Sequence, residues 1–216
     1  MAETQNINEQ VKQEAAAIIS DGTKIRERIA NLVALGAEQA QASGEGLLGL
    51  AKSIMDTAAT TVNQSLPADP NSTLRQVIDG LSDGVSSAAL AAKMAVSESV
   101  TSGKSFAEND MQKFLSDVST LREMYSQTVI DGLGKIKNLT GSQLGDLKNH
   151  ALAAQSSVLP ALQQAFDAAY QHPIELGKES VQTGVELTRQ TVGSLFSAVG
   201  RLLQDAGTKI TPEEKK

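Results

Sequence analysis

Apolar residues recur at intervals of three and four along nearly the whole of this 216-residue chain. No segment of useful length alternates with a period of two. Side chains three or four apart share one face of a helix, so the pattern dictates amphipathic helices and leaves no candidate for a half-buried strand. The expected fold class is all-α: long amphipathic helices in an elongated bundle or a coat-like helical array.

In the first segment Ile7, Val11, Ala15, Ile18, Gly22, Ile25, Ile29, Leu32 and Gly36 form one stripe, expected to be a single helix kinked at Ser20-Asp21-Gly22. Ser43-Gly44-Glu45-Gly46 is loose, and Leu47 to Leu66 resumes the pattern. Pro67-Ala68-Asp69-Pro70-Asn71-Ser72 reads as a linker, because proline removes a donor and restricts the residue before it. The third helix is expected from about Thr73 to Thr101, with Leu74, Ile78, Leu81, Val85, Ala88, Ala92 and Val96 on its apolar side.

Ser105-Phe106-Ala107-Glu108 has the form of a capping box for the next helix. Its stripe is Met111, Phe114, Val118, Leu121, Tyr125, Val129, Leu133 and Ile136. Thr140-Gly141-Ser142 marks a stop and a start, and Leu144, Leu147, Ala151, Ala154 and Val158 follow. Pro160 is expected to kink that helix before Leu162 and Phe166 resume it. The last helix, Ile174 to about Asp205, carries Val181, Val185, Thr188, Val192, Leu195, Val199 and Leu202.

These breaks divide the chain into an N-terminal helical region (1–66), the linker (67–72), a main helical bundle (73–206) and a disordered tail (207–216). Whether the helices form one bundle or two lobes hinged at Pro67–Pro70 stays open at this level.

Several chemistries find no support. The chain lacks cysteine, which rules out disulfides, thiolate zinc sites and thiol catalysis. With 19 basic against 25 acidic residues, it lacks the clustered positive charge of a nucleic-acid binder. No run approaches the ~18 apolar residues of a membrane span, and the start lacks a secretory signal, so a cytoplasmic setting is expected. Three N-x-S/T sequons, at Asn63, Asn71 and Asn138, read as chance in a Ser- and Thr-rich chain.

Gly103-Lys104-Ser105 matches the end of a phosphate-binding loop, but Glu98 stands where the loop needs glycine. His150 and His172 each lack a second ligand at helical spacing, and Asp79 with Asp83 reads as a solvated polar face. No cofactor and no catalytic or metal residue is expected, and the chain is expected not to be an enzyme.

What remains is the seam. Alanine accounts for 28 residues, and a buried Ala methyl contributes far less than the ~1.5–3 kcal/mol of a buried Leu or Phe. Gly80 and Gly84 are four apart on one helix face, and glycine there costs about 1 kcal/mol relative to Ala. Such spacing points to close helix approach or to pliancy.

Two stretches, Ser105–Leu139 opening with Phe106-Ala107-Glu108, and Ile174–Asp205 with Glu175-Leu176-Gly177-Lys178-Glu179-Ser180-Val181-Gln182, resemble the phasin-like group of bacterial helical proteins. The resemblance implies an oligomeric, non-catalytic protein on the surface of polyhydroxyalkanoate granules.

The leading expectation is therefore a coat or scaffold on an apolar surface, such as a polyester granule or neutral lipid. Its contact face is Val181, Val185, Val192, Leu195, Phe196, Val199 and Leu202. The alternative is an interaction bundle or homo-oligomer with permanently buried seams, for which heptad-like spacing suits helical partners. A third reading, a stress-protective chain disordered until dried or bound, sits poorly with only 20% charged residues.

Overall fold

The N-terminal stripe folds as two helices rather than one kinked helix, α1 (Ala2–Asp21) and α2 (Ile25–Ser43). Gly22 adopts φ +73° and Lys24 φ +48°, so the backbone turns through the left-handed region between them. The Asp21 carboxylate accepts from the Thr23 hydroxyl and from the Arg28 guanidinium. These two partners hold its carboxyl below the usual range. The turn is thus fixed by side chains that a periodicity argument does not weigh.

The computed structural model describes residues 2–43, 46–65, 67–101 and 108–171. The remaining helices are α3 (Gly46–Ser65), α4 (Pro70–Thr101), α5 (Glu108–Leu133) and α6 (Gly141–Tyr170), with no strand among the described residues. The all-α expectation holds.

Local chemistry explains the boundaries. Helix α4 begins at Pro70, three residues before the expected start. Asp69 accepts from the Ser72 N–H at 2.9 Å as its N-cap, and Pro70 takes the first helical position, where a missing N–H costs nothing. Helix α6 opens on a capping box: Thr140 Oγ1 accepts from the Gln143 N–H, and Gln143 Oε1 accepts from the Thr140 N–H at 2.9 Å. It runs through Pro160 as one element. Pro160 and Ser156, whose carbonyl loses its helical donor, are both exposed, so water is at hand for that carbonyl. The box expected at Ser105 falls on residues outside those described.

The helices stack in two layers. On one side α2 packs on α4 and α4 on α6; on the other α1 packs on α3 and α3 on α5. Within each layer the helices run parallel. The Arg26 carbonyl and Ile29 lie against Gly80, and Ala30 and Val33 lie one turn on against Gly84, which sets α2 along α4. Asp79 meets His150 at 2.8 Å and Lys93 meets Gln164 at 2.8 Å, which sets α4 along α6. In the other layer Gly46 lies beside Asp117, while Lys135 reaches Asp56 at 2.5 Å. Asn63 clamps the loop after α5 with both amide atoms, on the Lys135 carbonyl and the Lys137 N–H.

From α3 onward, then, each helix packs against the helix two before it, and in addition α3 rests on α2, α4 touches α3 more lightly, and α6 rests on α5. Between the layers lies one core with buried residues from all six helices. The Pro67–Asp69 connection separates no second core among the described residues.

Gly80 and Gly84 belong to this geometry. A Cβ on Gly80 would stand 2.5 Å from the Arg26 carbonyl oxygen, and one on Gly84 2.5 Å from Val33 Cβ. Helix α4 therefore lies against α2 at a distance only glycine permits. The sequence reading of close approach is the correct one at this pair.

Candidate functional site

The apolar face expected at Val181, Val185, Val192, Leu195, Phe196, Val199 and Leu202 lies outside the described residues. So do His172, the Gly103-Lys104-Ser105 turn and the tail. Among the described helices, the stripes that sequence periodicity picks out point inward. Leu74, Ile78, Leu81, Val85 and Ala88 of α4 are all fully buried.

The most concentrated polar chemistry sits where α2, α4 and α6 meet. Arg26 of α2 forms a bidentate pair with Asp83 of α4, Nε at 2.6 Å and a terminal nitrogen at 3.1 Å, and lies 4.0 Å from Asp79. Asp79 in turn meets Nε2 of His150 on α6 at 2.8 Å. Asp83, by hydrogen bonding and charge, raises the Arg26 guanidinium above its ordinary value. One turn of α4 thus ties its two layer neighbours together.

Beneath it, Ser82 and Tyr125 share a buried hydrogen bond of 2.8 Å between α4 and α5. The Ser82 hydroxyl also donates to the Ile78 carbonyl at 2.9 Å, so the Tyr125 O–H is the donor in the shared bond. Burial, first among its causes, pushes the Tyr125 hydroxyl well up from 10.0.

Chemically, the cluster pairs charges. Among the described residues no hydroxyl contacts His150 in the manner of an activated nucleophile; its shown partner is a carboxylate. No group of three or more metal-ligating side chains occurs among the described residues. An apolar cavity of about 20 Å³, bounded by Ala88, Ala89 and Ala92 of α4 and by Phe114 and Leu121 of α5, has room for about one water molecule. It is far below the ~300 Å³ of a small-molecule site.

Sequence reasoning placed Asp79 with Asp83 on one solvated polar face and gave His150 no partner. Their common signal is placement, with 71 residues between the partners of the His–Asp bond, and a single chain without structure does not carry it.

Arg26 and Asp83 are each more than a third exposed, so the pair is worth little in water. Arg26→Ala is expected to lower the unfolding free energy by about 0.5–1 kcal/mol, read from urea melts. A loss several times larger would mean the cluster holds the layer together.

No described helix is long and apolar enough to cross a membrane. Residues 1–204 match the model of a family described as a family of unknown function (DUF6781). No curated protein and no solved structure matches the chain.

Proposed function

The chain belongs to the DUF6781 family, and from its geometry we propose that it is a non-enzymatic helical scaffold, whose seams stay buried while its polar faces hold other proteins or further copies of itself. The observation that carries this reading is the α2–α4 contact. The α4 stripe is fully buried, and glycine brings its backbone onto α2. Fully exposing Leu74, Ile78, Leu81 and Val85 would cost on the order of 6–12 kcal/mol at ~1.5–3 kcal/mol each. That is comparable to the whole stability of a domain this size. Turning this stripe outward onto another body is not a cheap motion.

A second reading is favoured by one sequence observation, the three-four spacing from Val181 to Leu202. There the seam itself meets an apolar surface, a polyester granule or neutral lipid, as the phasin-like texture implies.

Flotation separates the two. Purified full-length protein is mixed with polyester-cored or neutral-lipid droplets and spun in a density gradient at low and high salt. The scaffold reading expects protein at the bottom at both salts. Salt-resistant flotation would overturn it. Loss of that flotation in a soluble Leu195→Asp/Val199→Asp variant would then assign the seam as the contact face.

A further inference from the structure

The chain has five methionines and no cysteine, so its sulfur chemistry is that of thioethers. The side chains of Met55, Met94 and Met124 are described, and the fold sorts them into two environments. Met94, on α4 one turn after the exposed Leu90, is 60% exposed, and Met124 on α5 is 45% exposed. Met55 on α3 is fully buried.

What covers Met55 includes the backbone of α5. A Cβ on Gly132 would stand 2.8 Å from Met55 Cβ and 3.3 Å from Met55 Cε. Those two atoms lie on either side of the thioether sulfur, so α5 closes along the whole side chain at a position where it carries none of its own. Polar ties fasten the same pair of helices. Lys135 reaches Asp56 at 2.5 Å, and Asn63 holds the Lys135 carbonyl at 3.1 Å and the Lys137 N–H at 2.9 Å.

We propose that Met55 beneath Gly132 is a peroxide-sensitive latch: it is oxidised only when α3 lifts from α5, and its sulfoxide then keeps the two helices from closing. Met94 and Met124 are oxidised in the folded chain without harm to it. In each case the sulfur attacks one oxygen of hydrogen peroxide, the O–O bond breaks, and sulfoxide and water result. The sulfur loses two electrons and the peroxide gains them.

Two physical differences separate the classes. Oxidation adds a polar oxygen to a flexible apolar side chain. At Met94 and Met124 that oxygen can face water. At Met55 it must fit between helices so close that even a Cβ on Gly132 lacks space, and a buried oxygen without a donor is unfavourable. Access differs as well. A fully buried sulfur meets peroxide only through local or global opening, whose population is small.

The inference stands apart from the scaffold reading, because its test uses no partner. Folded full-length protein is treated with hydrogen peroxide, and sulfoxide is followed at each methionine by peptide mass mapping. Met94 and Met124 are expected to react at least about tenfold faster than Met55, and the three rates are expected to converge in denaturant. Met55 reacting as fast as Met94 in the folded chain would overturn the proposal.

A second arm reads the consequence. The melting temperature is expected to hold while Met94 and Met124 are converted and to fall as Met55 follows. In Met55→Leu, a swap of similar volume, that later fall is expected to vanish. A fall of the same size in Met55→Leu would overturn the latch. Should Met55→Leu not fold, the order of conversion and melting in the native chain still decides, because a melting temperature unchanged after Met55 is oxidised also overturns it.

Discussion

Gly80→Val combined with Gly84→Val is expected to cost about 4 kcal/mol or more of unfolding free energy, read as a lowered urea midpoint with an unchanged slope. At Gly80 the added Cβ meets a backbone oxygen at 2.5 Å, which has no rotamer to escape into, and at Gly84 it meets the branch point of Val33 at 2.5 Å. Helix α2 must move off α4, and the apolar residues between them lose contact. Replacing glycine regains up to about 1 kcal/mol of helix propensity per site, so propensity opposes the loss and cannot produce it. The two sites share a partner helix, so their effects will not add simply.

Gly145 supplies the contrast. It lies inside α6 with nothing within 4 Å of an added Cβ, and Gly145→Ala is expected to stabilise by about 0.5–1 kcal/mol. If both glycine classes respond alike, close packing is not what selects Gly80 and Gly84.

Alkaline pH is expected to unfold the protein through Tyr125. Its hydroxyl is raised by burial from an ordinary value of 10.0. Above pH 10 the unfolded chain releases this proton while the folded chain keeps it, so the unfolded state binds fewer protons. Stability is then fully present below pH 10 and falls as pH rises, by about 1.4 kcal/mol per unit while the folded hydroxyl keeps its proton. Tyr125→Phe removes that part of the slope. Near neutral pH it loses the hydrogen bond to Ser82, worth about 1 kcal/mol, while Ser82 keeps its bond to Ile78. Parallel alkaline titrations of the two proteins, followed by far-UV circular dichroism, give the difference directly. Superimposable curves would place the Tyr125 hydroxyl within reach of water.

Much of the fold was legible in the sequence because an amphipathic helix writes its buried face into residue spacing. Leu74 to Val96 on α4 and Phe114 to Leu133 on α5 are buried as the periodicity requires. Boundaries were less legible, since they depend on single side chains. Asp69 starts α4 at Pro70, ahead of the periodic stripe, whereas α6 starts at Thr140 where the sequence marks it. Gly22 and Lys24 divide a stripe whose period continues across the break. Periodicity fixes which face is apolar, but not which helix meets it. The parallel layers and the Arg26–Asp79–His150 chain follow from pairings such as Arg26–Asp79 and Asp79–His150, 53 and 71 residues apart, which the spacing within one helix does not encode.

The rule that each new helix rests on earlier ones bears on how the molecule is made. A chain emerging from the ribosome N-terminus first presents α1 and α2 before anything that packs later exists. Every subsequent helix then finds its docking surface already synthesised, so growth can proceed in the order of translation without waiting for the C-terminus. A sheet-like closure, in which the first element pairs with the last, would forbid this. Among the described helices, each one can therefore dock as soon as it has been made.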